Sequence, residues 1–326
     1  MRKITPFLLL VFLSASCTSE TLLAPVMIDG KHGYIDKTGE IVIEPQFEDA
    51  LWFQEGLAMI KVGDKWGYID KSGKIAINPQ FDWAWEFKEG LAWIKLGGKW
   101  GYIDKNGKIA INPQFEEAED FHEGLAKIQL GGKYGYIDKN GKIVINPQFE
   151  KAWGFSEGLA PIQLGNKWGY IGKNGKIAIE PQFEFAWGFS EGLAPIELGG
   201  KRGYIDKSGK IAIKPQFDLA WGFQEGLVGI RLDSKWGYID KSGKITIKPQ
   251  FDLTWGFQEG LAKIQLGGKY GYIDKTGNIA INPQFEDAGS FQEGLAKVRL
   301  CGKFGFIDKN GNIAINPQFD WAWDFN

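Results

Sequence analysis

Along Leu91–Leu96 (LAWIKL), Ala92, Ile94 and Leu96 fall on one side and Trp93 and Lys95 on the other. Apolar residues at a period of two mark a β-strand rather than a helix. Gly97-Gly98-Lys99 follows as a tight turn into a second strand, Trp100 to Asp104. Asp104-Lys105-Asn106-Gly107 opens with an Asx residue and closes with Gly, the signature of a type I turn completed by a left-handed bulge. The third strand runs over Lys108–Ile111, and Pro113, which has no N–H to give a ladder, ends it. Phe115, Ala118 and Phe121 then sit at i, i+3 and i+6. That spacing predicts a short helical or 3₁₀ turn stopped by Gly124. The local unit is thus a three-stranded meander with a packed turn.

This unit recurs. Pro-Gln-Phe tripeptides begin at Pro45, Pro79, Pro113, Pro147, Pro181, Pro215, Pro249, Pro283 and Pro317, always 34 residues apart. A fixed period of this size signals a solenoid, a propeller or a related array. Residues 23–326 hold nine units with no linker between them. Both faces of each sheet carry apolar groups: Ala92, Ile94, Ile103 and Ile111 on one, Trp100 and Tyr102 on the other. Such a sheet needs neighbours on both sides, so the Ile face of one unit is expected against the Trp/Tyr face of the next. The expected fold is all-β, nine three-stranded units stacked into an open superhelix. A closed propeller-like ring is the alternative, and the apolar end of the chain (Trp321, Trp323, Phe325) argues for it. Propellers usually have four to eight blades of four strands, which argues for the open form.

The N-terminus reads as an address. Arg2 and Lys3 precede the apolar run Phe7–Leu13, then the small residues Ser14-Ala15-Ser16 and Cys17. Seven apolar residues are too few to cross a bilayer, so residues 1–16 read as a bacterial secretory signal. The segment resembles a lipoprotein signal, with Cys17 as the lipidated first residue, although Leu13 lies four rather than three positions before it. Plain signal cleavage is the alternative. The expected localisation is the cell envelope, through a lipid anchor in a membrane. Cys301 would then be the one thiol left, so no intrachain disulfide could form.

Lys65-Trp66-Gly67-Tyr68-Ile69-Asp70, leading into Lys71-Ser72-Gly73-Lys74, resembles the bacterial WG repeat, also called the KWG repeat. The resemblance covers residues 23–326. It implies a β-rich repeat of secreted and surface proteins, with no established activity and no catalytic residues to transfer. Within this chain the Trp position becomes His32, Tyr134, Arg202, Tyr270 and Phe304.

Composition narrows the chemistry. With 38 Lys plus Arg against 40 Asp plus Glu, no basic surface for nucleic acid is expected. Two His and two Cys leave little for a zinc site or a Cys/His catalytic pair. Asp70, Glu89 and their copies recur in equivalent places, which fits structural work: the Asp accepts turn N–H groups and the Glu-Gly pair makes a turn. Gly172 replaces the Asp in one copy. No cofactor, metal or catalytic constellation is expected, and His32 and His122 occupy unrelated positions.

The remaining candidates are aromatic or variable. Trp153, Trp187, Trp221 and Trp255 form an uninterrupted run in the turn, which is either inter-repeat packing or a ladder for stacking ligands. Phe185, Leu219 and Leu253 form an apolar stretch in a freely varying position two residues earlier. A second variable position, in strand one, runs Met59, Trp93, Lys127, Pro161, Pro195, Gly229, Lys263 and Lys297. The expected function is a non-catalytic binding or scaffold surface for a protein or an envelope polymer. The alternative is a glycan-binding module built on the tryptophans.

Overall fold

The computed structural model describes residues 22–325. Among them are nine antiparallel sheets of four strands each. In blade 2, strand A is Asp49–Gln54, B is Leu57–Val62, C is Lys65–Asp70 and D is Ile75–Phe81, paired in that order. Blades 3 to 9 repeat this plan. Blade 1 takes strands B, C and D from Ala24–Ile28, Lys31–Ile35 and Ile41–Phe47, and its strand A from the other end of the chain, Trp321–Ala322. Val26 pairs with Ala322 and Met27 with Trp321. Flanking bonds run from Asp320 N–H to Met27 O (2.9 Å) and from Trp323 N–H to Pro25 O (3.0 Å). The chain closes into a nine-bladed β-propeller, and the open superhelix of three-stranded units is overturned. The reason lies in the frame: the first described strand takes the B place of its blade, and Trp321–Ala322 supplies the strand A beside it.

Two local features hid the fourth strand. Pro113 does not end strand D, which continues to Phe115. Strand D is the outer edge of its blade, so a missing N–H costs no ladder bond there. The segment after it is strand A, not a helical turn. In blade 4, Ala118 pairs with Ile128 and Phe121 with Ala126, with a bulge between them. The bulge inserts a residue and returns two side chains three apart to the same face. A second bulge, in strand D, explains the Gly of each Trp-Gly-Tyr. A Cβ on Gly101 would lie 2.6 Å from both Ile111 O and Pro113 N.

Blades pack as the two-faced pattern predicts. Trp66, Tyr68, Ile77 and Phe81 of blade 2 meet Ala84, Phe87, Ala92, Ile94 and Ile103 of blade 3 in one buried cluster. Within it the Tyr68 ring lies 4.9 Å from Phe87, and its hydroxyl donates to Trp85 O at 2.6 Å. The same tyrosine bond recurs around the ring, for example Tyr102 to Glu119 O and Tyr204 to Trp221 O. Each satisfies a buried hydroxyl and contributes about 1 kcal/mol.

One face of the ring is laced circumferentially. The Glu-Gly turn between A and B has positive φ at both residues (Glu89 +52°, Gly90 +85°), as a type I′ hairpin requires. Glu89 accepts from Gly124 N–H of the next blade at 3.1 Å, and from Lys139 Nζ in the C–D turn of that same blade at 3.0 Å. Lys37 bonds Glu293 across 256 residues, carrying this lacework over the chain ends.

Candidate functional site

The repeated ionisable groups are engaged in the turns. Asp70 Oδ1 accepts from Ser72 N–H (2.9 Å), Ser72 Oγ (2.6 Å) and Lys74 N–H (3.2 Å). The Ser72 hydroxyl and these N–H groups hold its carboxyl below the ordinary aspartate range. Where Gly172 stands in this place, Asn174 Oδ1 accepts from Lys176 N–H instead, at 3.0 Å. Among the described residues no three His, Cys, Asp or Glu groups converge to hold a metal ion. Cys17 lies outside the described residues.

Trp153 and Trp221 are exposed, at 43% and 47%. Trp187 and Trp255 are half-buried. The four do not form one continuous stack, because each takes a separate partner. Trp153 lies over Trp168 (6.2 Å, 16°) and Trp221 over Trp236 (5.6 Å, 0°). Trp187 sits between Phe185 (3.9 Å) and the Arg202 guanidinium (4.2 Å), and Trp255 lies under Lys263 Nζ (4.1 Å). Leu219 packs against the cluster containing Trp236.

The strand-B variable position decides what fills the space between blades. In blade 4, Lys127 reaches across and donates to Ala152 O of blade 5 at 3.1 Å. Lys263 and Lys297 do the same to Ala288 O (2.7 Å) and Ala322 O (3.2 Å). In blade 7 this position is Gly229, and a cavity of about 670 Å³ opens between blades 7 and 8. It brings together Trp221, Leu253 and Trp255 with Gly229 of the variable strand-one position, all singled out from the sequence. It adds Trp236, at the WG-repeat Trp position, and Thr254, Gln224 and Gln258, which pattern reading missed. A signal existed: Thr254 replaces the alanine found in the other eight copies, such as Ala220 and Ala288. Phe185, Leu219, Trp153 and Trp187 are not part of this cavity. A second aromatic recess, of about 650 Å³, lies on blade 3 beside Trp83, Trp93 and Trp100.

Strand A is the inner strand of every blade, and the position two residues after its paired Ala or Thr runs Trp52, Glu86, Asp120, Gly154, Gly188, Gly222, Gly256, Ser290 and Asp324. The axial opening is therefore lopsided, bulky and acidic at blades 1 to 4 and glycine-lined at blades 5 to 8. Trp52 Nε1 donates to Glu86, and Trp93 Nε1 to Asp120 at 2.8 Å. Burial pushes the Glu86, Asp120 and Asp324 carboxyls up from their ordinary values. Burial, and then the Lys88 charge, push the His122 imidazole down.

No curated protein matches the chain in sequence. A crystal structure of a eukaryotic initiation factor superposes with a TM-score of 0.69 at 10% identity, over 94% of this chain and 98% of that one. At that identity the likeness shows the propeller fold alone. Looser matches include the dihydro-heme d1 dehydrogenase NirN (TM-score 0.46, 13% identity, 94% of this chain and 74% of that one). PorZ of Porphyromonas gingivalis, a surface component of the type-IX secretion system, matches at 0.33 and 11% identity, over 90% and 52% of the two chains. Neither bears on function here. In sequence, the repeat runs from strand C of one blade to strand C of the next, and successive segments from 33–66 to 304–326 match the WG containing repeat; the chain belongs to that family.

Proposed function

We propose that this propeller is a non-catalytic binding module of the bacterial cell envelope, exported by residues 1–16, anchored in a membrane through Cys17, and engaging a protein or an envelope polymer. The observation that carries this reading is a division of labour among the repeats. The constant residues (the tyrosines, the Trp-Gly glycines, the turn Asp and Glu) are engaged in holding the ring. The copies diverge where side chains face the clefts and the axial opening, which is where a partner would meet them. A rigid scaffold with a variable rim is the usual arrangement of a recognition surface.

Fractionation and sedimentation test it. The Cys17→Ala protein should leave the membrane fraction, and its persistence there would remove the anchor. The soluble ring should sediment with isolated envelopes above an inert control, and failure to do so would remove the binding reading. Treating the envelopes with protease, or with glycan-degrading enzymes, tells a protein partner from a polymer. The glycan reading is favoured by one cleft in particular.

A further inference from the structure

We propose that the cleft between blades 7 and 8 binds a short stretch of neutral carbohydrate chain, entered from the axial opening. This deepens the binding reading above and rests on it.

The cleft exists because of two substitutions that face each other. The other eight copies place Pro, Met, Trp or Lys at the strand-B position of Gly229. Across the gap, Thr254 is 5% exposed, and its buried hydroxyl lies beside that of Tyr238 without a well-formed hydrogen bond. A Cβ on Gly229 would lie 2.8 Å from that oxygen, so the hydroxyl points at the vacated space. The neighbouring Tyr238 hydroxyl donates to Trp255 O at 2.7 Å. Buried polar groups are almost always paired, and a hydroxyl aimed into a cavity asks for a partner that enters it.

The lining fixes the class of that partner. Trp221 lies flat on Trp236, and Trp255 and Leu253 complete the apolar wall. The polar side chains of the lining are the Thr254 hydroxyl, the amides of Gln224 and Gln258, and Ser190 and Ser290. None of the lining residues is charged. A charged ligand would bury its charge unpaired, and a wholly apolar one would leave Thr254 unsatisfied. A neutral sugar has what both surfaces need: C–H groups for the indole faces and hydroxyls that donate and accept. The volume, about 670 Å³, falls within the range of small-ligand pockets.

The double variant Gly229→Lys with Thr254→Ala tests this, because it restores a pairing the ring already contains three times. Lys127, Lys263 and Lys297 each fill their cleft and bond the carbonyl of an alanine. The double variant should therefore fold and melt like the parent while its cleft is closed. Tryptophan emission of the soluble ring would be titrated with neutral hexasaccharides of β-1,4-glucose, β-1,4-N-acetylglucosamine and α-1,4-glucose, and with the tripeptide Gly-Trp-Gly. At least one hexasaccharide should saturate. The double variant should bind it at least about tenfold more weakly, and Thr254→Ala alone several-fold more weakly, since a lost hydrogen bond in a closed site has effects of this order. Equal binding by the double variant would overturn the site. Saturation by Gly-Trp-Gly alone would overturn the sugar while leaving the binding reading intact. No saturation by any probe would overturn the inference, and sedimentation with envelopes would still decide the broader reading.

Discussion

Gly107 and Gly97 both have positive φ (+78° and +59°), yet they do different work. A Cβ on Gly97 would meet nothing within 4 Å, whereas one on Gly107 would lie 2.9 Å from Ile77 Cγ2 of the preceding blade. The chain itself places Cys301 at the Gly97 position, with φ +51°. Gly97→Ala should therefore cost only the left-handed strain, about 1 kcal/mol. Gly107→Val adds β-branched strain and a clash across the blade interface, and should cost about 3 kcal/mol or more. Urea melts of both variants check this. Equal losses would mean that the interface contact counts for nothing. The need for Gly at the C–D turn was legible from its Asp-Lys-x-Gly pattern. That it also seats the turn on a neighbouring blade was not, because Ile77 lies 30 residues away in sequence.

At the scale of the elements, the turns carry a pH dependence. In the C–D turns the hydroxyl hydrogen bonds of Ser72, Ser208, Ser242 and Thr276 lower their aspartates, against a smaller effect of burial. In the A–B turns burial raises Glu89, Glu157 and Glu225, and bonds from the facing lysines and Gly N–H groups more than reverse it. A carboxyl with a lowered folded pKa stabilises the fold above its unfolded value, and that stability is lost as pH falls through the folded value. Glu86, Asp120 and Asp324 are raised and act in the opposite sense, recovering stability as they protonate, but they are fewer. The melting temperature should fall as pH drops below about 4, where ordinary carboxyls titrate. Calorimetric scans from neutrality to pH 3 measure it, and a melting temperature that climbs throughout would contradict the turn assignments. The turns and strands B and C were readable because each repeats a local pattern. Strand A was not, because its bulge gives a strand the spacing of a helix.

For the whole molecule, closure rests on a short strand. Trp321–Ala322 completes blade 1, and Phe325, 1% exposed, joins the cluster of Val26 and Ile35. Deleting residues 320–326 would open the ring and bare two blade faces. The melting temperature should fall by roughly 10 °C or more, with rapid proteolysis from both ends, since each kcal/mol moves a chain of this size by about 2 °C. An open array would lose only part of one terminal contact and melt almost as before. Thermal scans with limited proteolysis separate the two.

Taken alone, the sequence determined the all-β class, the count of nine units, the Ile-against-Trp/Tyr packing, the work of the turn Asp and the Glu-Gly pair as a turn. All of these follow from patterns confined to 34 residues or repeated at that spacing. Tertiary structure decided whether the array closes, because the sum of small rotations between blades is a property of the whole ring and is written in no single repeat. It also decided where the repeats cease to be equivalent. Gly229 and Thr254 are 25 residues apart in sequence, and although each departs from the other copies, nothing in the sequence sets the two against each other. Only the packing of blade 7 on blade 8 sets the missing side chain opposite the added hydroxyl and leaves a cavity between them.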